Sequence, residues 1–263
     1  MQKEATKFSD SLVFEGMTSI RALIGGIDGK ITDRRIEKVI FDKTKLKKIS
    51  KEVGYFRAVS EKYGFELVPE STEHLDDITL GNSHGGIVAI ATDRNIPLLD
   101  STSDIKSHGF YVMIQGIEDP YNFGYSLRSL YSMGVSGVIL SPRNWMSAAG
   151  VVCRSSAGAS ELLPMYLCED EGVALDVFKE RGYKIVCADE RTDNLLGKTE
   201  LPFPLLLIVG GEKRGISRSI VDRADVLIKI PYANAFRASL SAASATTMFA
   251  YEIMRQNLLD GGK

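Results

Sequence analysis

The chain has 263 residues, 44% of them hydrophobic and 25% charged, with 32 Lys and Arg against 34 Asp and Glu for a net charge of -2. That length predicts two domains of ordinary size, and the interspersed charges of both signs exclude disorder and low complexity. A balance so near zero offers nucleic acid no bulk attraction, so any RNA contact must come from a local basic patch or from a second subunit completing one.

The start MQKEATKFSD carries charge but no apolar signal-peptide core, and no run approaches the roughly 20 apolar residues of a membrane span, which predicts a cytoplasmic protein with no membrane partner. GMTSIRALI begins at Gly16 and continues at helical spacing through Ile20, Leu23 and Ile24. GGIDGKIT, near Gly25, is one residue short of a phosphate-binding loop and reads as a surface turn. RRIEKVIFD, from Arg34 to Asp42, predicts the first strand. The helical stretch expected next carries Lys43, Lys45, Lys47, Lys48 and Lys51, and is followed by a second helix ending at Gly64. FELVPE reads as a strand, HLDDITL as a short helix or turn, and GGIVAIAT as an apolar strand.

Between Ile96 and His108 the pattern breaks into IPLLDSTSDIKSH, whose Pro, Ser and Asp residues mark a linker. The expected division is therefore residues 1–97, a linker at 98–107, and a second domain at 108–263. Beyond the linker come the strand FYVMIQGI, a helix from Asn122 to Met133, the strand VSGVIL, a helical region near Ala148 to Ala157, and the strand ELLPMYL. The helix VALDVFKERG, the strands YKIVCADE and PLLLIVGG, a short helix after Arg214, the strand VLIKIPY and a helix from Ser239 to Gln256 complete the chain. Such alternation predicts an α/β fold with a mostly parallel sheet flanked by helices, whose ligands gather at the carboxyl ends of the strands.

Cys153, Cys168 and Cys187 lack CxxC spacing and read as small core residues, not as disulfides or a zinc site. His74, His84 and His108 have neither i, i+4 pairing nor neighbouring ligands, so no metal is expected. No G-x-S-x-G elbow is present.

Three clusters lie at predicted strand ends. In DPYNFGYSLRS, Asp119 or Asn122 can cap the helix, Gly124 keeps one face open, and Arg128 sits one turn inside. The structural alternative is plain capping, with Arg128 on a solvated face. In IVGGEKRGIS, the pair Gly210 and Gly211 permits close approach to the backbone, with Glu212 and Arg214 beside it. It lacks the Lys and Ser/Thr of a phosphate loop and the GxGxxG spacing, which disfavours an NTPase; a tight turn is the alternative. IPYANAFRASLSAASATTMFAYE is a loop followed by a helix of small residues suited to tight packing.

Taken in order, these clusters resemble the three motifs of the SpoU/TrmH family of RNA ribose 2'-O-methyltransferases, part of the SPOUT superfamily. The first matches in Asn122, Gly124 and Arg128; the second in Gly210, Glu212 and Gly215, with Ile230 and Pro231 downstream; the third in Ser239 and Leu240. SSAGASELLPM also resembles a family segment, so the likeness covers nearly all of residues 108 to 258. RIEKVIFD and SHGGIVAIA are similar to the small α/β RNA-binding domain that precedes the catalytic domain in many members.

The resemblance implies a deep trefoil knot in the C-terminal domain, a homodimer, and S-adenosylmethionine as cofactor. It assigns cofactor contacts to Gly210, Ile230 and Leu240, with Gly211, Pro231 and Ser239 shaping the pocket. The substrate it implies is structured RNA, ribosomal or transfer, and Arg128, Asn122, Glu212 and Ser239 form the implied catalytic set. A guanidinium with a pKa above about 12 is a poor general base, so Arg128 is expected to stabilise the developing alkoxide and grip the adjacent phosphate, oriented by Asn122 and Glu212. Lys43, Lys45, Lys47, Lys48 and Arg57 are the candidate RNA contacts, with Arg21 and Arg154 as further candidates of the same grade; a solvated charged face is the structural alternative. The chain departs from the family at Ser241, where Asn is usual. That departure supports a second reading, an RNA-binding paralogue with weak or lost activity acting in ribosome assembly. Base methylation is a third, since the knot serves both chemistries.

Overall fold

The computed structural model describes residues 12–80, 84–141, 148–211, 215–235 and 238–259. The chain divides into two compact units, residues 1–95 with 144–162, and residues 96–143 with 163–263. The sequence reading keeps all of 108–263 together, whereas the contacts group 144–162 with the first unit.

The first unit is built on strands β1 (Val13–Glu15), β2 (Ile36–Asp42), β3 (Glu66–Glu70) and β4 (Ile87–Ala91). They lie in the order β1-β4-β2-β3; β2 and β3 are parallel, and β4 is antiparallel to both of its neighbours. Helix α1 (Gly16–Asp28) buries Ile20, Leu23 and Ile24, the spacing of one helical face. Helix α2 (Ser50–Tyr63) closes on Gly64, whose φ of 72° is the left-handed conformation that glycine accepts without penalty. Helix α3 (Thr72–Ile78) is capped by the Ser71 side chain. The lysine run is not helical as expected: Lys43–Lys45 form one 3-10 turn and a second turn follows.

Two short helices of the first unit come from far along the chain, α4 (Ala149–Ser155) and α5 (Ala159–Leu162). Here two expectations need correction. GGIDGKIT is a surface turn only from Gly29 onward: Gly25 and Gly26 lie inside α1, and a Cβ on Gly26 would stand 2.3 Å from the Glu161 carbonyl oxygen. The start of ELLPMYL is helical, because Glu161 is buried against Arg34 instead of alternating along a strand.

Asp42, fully buried at the end of β2, accepts hydrogen bonds from Thr44 N at 2.9 Å and from the Thr72 hydroxyl at 2.7 Å, and pairs with Lys45 at 3.1 Å. Burial pushes its carboxyl up, but the bonds from Thr44, Thr72 and Lys45 outweigh it and hold the group well below the usual carboxylate range. The resulting stability is present above the unfolded pKa of about 4 and fades as pH falls towards the folded value. Asp42→Asn is therefore expected to destabilise the protein at pH 7, with a difference from the parent that narrows below about pH 4; urea titrations at both pH values check it.

The second unit carries a six-stranded sheet, parallel throughout: β5 (Phe110–Ile114), β6 (Gly137–Leu140), β7 (Met165–Leu167), β8 (Lys184–Ala188), β9 (Leu205–Val209) and β10 (Val226–Ile228). Its order is β10-β8-β9-β5-β6-β7. FYVMI and LLLIV in the centre are buried at every position, because helices cover both faces of a parallel sheet. The helices are α6 (Pro120–Ser132), α7 (Glu171–Glu180), α8 (Arg218–Val221) and α9 (Ala242–Met254), the last continued by a π-helical turn over Arg255–Leu259.

The expected linker is tied down. Leu98 bridges to Leu167 beside the edge strand β7, and the hydroxyls of Tyr166 and Tyr183 donate to the carbonyls of Asp104 and Lys106 at 2.8 and 2.7 Å. Cys153, Cys168 and Cys187 are all free and buried, and burial pushes the Cys153 and Cys187 thiols up to about 12, where they are inert. Among the described residues, no helix is long and apolar enough to cross a membrane.

Candidate functional site

The three sequence clusters follow β5, β9 and β10, at the carboxyl ends of the parallel strands. The first two meet directly. β5 ends at Ile114, Gln115 N donates to the Val209 carbonyl of β9 at 3.0 Å, and Gly116 turns the chain with a φ of 65°. Gly211 lies so close that an added Cβ would stand 2.2 Å from the Gln115 carbonyl oxygen and 2.5 Å from the Gly116 carbonyl carbon. A Cβ on Gly210 would approach Gly215 Cα and Ile216 N to 3.2 Å. Two strand-end loops thus touch main chain to main chain, which only glycine allows. Glu212, Lys213 and Arg214 lie outside the described residues.

Helix α6 starts from that turn. Asp119 is the N-cap, its Oδ1 accepting from Tyr121 N and Asn122 N at 2.8 Å each, and Pro120 occupies the first turn. Asn122 therefore does not cap; it is half-buried, and its carbonyl accepts from the Ser126 hydroxyl. Gly124 is buried. Arg128 is exposed, on one face with Tyr121, Tyr125 and Tyr131, which are 47–50% exposed. Asn122 and Arg128, six residues apart, point about 120° away from one another around the helix.

The third cluster joins the first through helix packing. Helix α9 lies against α6, and the Thr247 hydroxyl donates to Ser129 Oγ at 2.7 Å. Ser241 is the N-cap of α9, its Oγ accepting from Ser244 N at 3.2 Å. Asn and Ser cap equally well, so the departure at Ser241 preserves the start of the helix. Ser239 and Leu240 are exposed, and Leu240 N donates to the Tyr232 hydroxyl at 3.1 Å.

Ile230 is half-buried and Pro231 exposed. The loop after β8 holds the segment leading to them, with Leu196 N donating to the Lys229 carbonyl at 2.8 Å and Lys229 N to the Asn194 carbonyl at 3.0 Å. Pro231 lines a cavity of about 230 Å³ with Leu196, Gly197, Met248, Tyr251 and Glu252. At the end of β8, a hydrogen bond from Arg191 holds the Asp189 carboxyl below its usual range.

The residues expected to contact RNA belong to the first unit. Lys43, Lys47, Lys48 and Arg57 are exposed, while Lys45 is committed in part to Asp42. Arg154 is engaged with Glu15 at 2.7 Å, and Arg21 lies over the Tyr55 ring, which gives both a structural occupation. Among the described residues no cluster of His, Cys, Asp and Glu could hold a metal. The sequence reading missed Gln115, Gly116 and Tyr232; the break Gln-Gly inside an apolar run was the available signal for the first two.

The family model described as the SpoU rRNA Methylase family matches residues 109–251. A Staphylococcus haemolyticus protein named for the TrmH family of tRNA/rRNA methyltransferases is 30% identical over 205 residues, 76% of this chain and 80% of its own. The 23S rRNA (guanosine-2'-O-)-methyltransferase RlmB of Bordetella pertussis is 26% identical over 208 residues, 78% of this chain and 84% of that protein. The SpoU methyltransferase AviRb from Streptomyces viridochromogenes, solved with AdoMet, aligns over 98% of both chains with a TM-score of 0.76 at 20% identity, a likeness of fold.

Proposed function

Because the chain belongs to the SpoU rRNA Methylase family, we propose that it transfers a methyl group from S-adenosylmethionine to a ribose 2'-hydroxyl of structured RNA, ribosomal or transfer. The observation that carries this reading is the main-chain contact of Gly211 with Gln115 and Gly116, beside the helix bearing Arg128.

The residues present fit the cofactor. Gly210 and Gly211 offer backbone without side chains, and Gln115, 6% exposed, holds an Nε2 with no partner. Gly210, Ile230 and Leu240 would hold the cofactor through main-chain groups, with Gly211, Pro231 and Ser239 shaping the pocket. When bound, S-adenosylmethionine supplies a methyl group activated by its sulfonium leaving group. Arg128 would place its fork on the 2'-oxygen and the adjacent phosphate, stabilising negative charge as it develops. Always protonated, it leaves the ribose proton to water or to a partner group. Glu212 would orient the guanidinium. Ser241 caps α9 as Asn would, which supports an active enzyme over a paralogue without activity.

In this reading residues 1–97 bind the RNA substrate, with phosphate contacts from Lys43, Lys45, Lys47, Lys48 and Arg57. Residues 98–107 connect to the catalytic domain at 108–263, whose C-terminal segment threads the family's knot. The protein works in the cytoplasm as a homodimer, and Tyr121, Tyr125, Met248 and Tyr251, each 42–50% exposed on the packed pair α6 and α9, supply an apolar face for the second copy.

Ribose-methylation mapping of total RNA from cells with and without the gene tests the function. One or a few 2'-O-methyl sites are expected to vanish and to return on complementation; no lost site would favour the paralogue.

A further inference from the structure

Gln115 belongs to none of the three sequence motifs, yet it stands where two of them meet. Its main chain is engaged, the N–H with Val209 and the carbonyl packed on Gly211. Its side chain is buried, and Nε2 has no hydrogen-bond partner. A buried carboxamide with idle donors is costly and therefore rare in a finished structure, which makes a missing acceptor the simplest account. The only other buried side-chain polar atom without a partner among the described residues is the Thr246 hydroxyl on α9, a helix that also packs against β9. Both idle groups thus belong to elements that adjoin β9.

We propose that Gln115 is a cofactor-contacting residue, donating from Nε2 to an acceptor atom common to S-adenosylmethionine and S-adenosylhomocysteine. The assignment rests on the cofactor reading above. It separates two requirements in one residue: the empty protein tolerates an unsatisfied donor, and binding satisfies it.

Gln115→Leu keeps the approximate size and removes the donor. Without cofactor this variant is expected to melt about 2–4 °C above the parent, because the unsatisfied group is gone. Its affinity for S-adenosylhomocysteine, measured by calorimetry, is expected to fall about tenfold. Gln115→Glu, which offers acceptors where donors are needed, should lose affinity at least as much without the gain in melting temperature, and it serves if the leucine variant fails to fold. Unchanged affinity in either folded variant overturns the assignment and leaves Gln115 a packing or water-bridging residue. A parent protein that binds no S-adenosylhomocysteine would instead overturn the cofactor reading, and this assignment with it.

Discussion

Arg128→Lys is expected to lower the rate of methyl transfer about 10²- to 10³-fold while leaving cofactor affinity within twofold or so of the parent. The lysine keeps the charge but loses the planar pair of donors that can hold an alkoxide and a phosphate oxygen together. Its effect on stability should be small, because the side chain is exposed on α6 and the substitution opens no cavity. Cofactor affinity should survive because Gly210, Ile230 and Leu240 lie in loops after other strands. Single-turnover methylation of a substrate RNA, paired with calorimetry on S-adenosylhomocysteine, separates the two effects. A lysine variant at near parental rate would sink the proposed role. An equal loss in cofactor binding would recast Arg128 as part of the pocket.

Glu161→Gln is expected to cost about 3–5 kcal/mol of stability, the largest effect foreseen for a single side chain here. Glu161 is 2% exposed and accepts from Arg34 Nε at 3.0 Å, and Arg34 is itself 6% exposed. Arg34 also donates to the Thr92 carbonyl at 2.7 Å, and Arg94 donates to the carbonyls of Ser160 and Ile31 at 2.6 and 2.8 Å. Burial pushes the Arg94 guanidinium down, with Glu161 acting against that trend. Glu161 is thus the buried charge partner of Arg34 and acts with Asp33 against the burial of Arg94, and the amide would leave the Arg34 guanidinium buried without its carboxylate. Urea denaturation at pH 7 measures the loss. The double variant Arg34→Met with Glu161→Leu should recover much of it, because apolar replacement of a whole buried pair is often close to neutral. A loss below about 0.5 kcal/mol for Glu161→Gln would show the pair to be incidental.

These two residues were unequally legible in the sequence. Arg128 stood out because a charged residue inside an apolar helix, at fixed distance from Asn122 and Gly124, is a local pattern. Glu161 was hidden in ELLPMYL, where the apolar neighbours read as strand. Its partner Arg34 is 127 residues away, and no periodicity reports a contact of that span. The same distinction explains Gly25 and Gly26. As a pair of glycines before Asp they look like a turn, but the close approaches of Leu162 to Gly25 and of Glu161 to Gly26 give them a packing role inside α1.

What the sequence by itself determined was local: the order of the strands and main helices in the second half, the glycine positions at strand ends, and the motif residues that carry the family likeness. Each of these depends on side-chain period or on backbone freedom over a few residues, so a short window contains the cause. Tertiary structure alone decided that residues 144–162 join the first unit, that the linker is tied down by tyrosine hydroxyls, and that Gly211 rests on Gln115 and Gly116. Those outcomes follow from burial and hydrogen bonding among residues distant in the chain, where the satisfaction of a buried charge or donor depends on what the whole fold brings beside it.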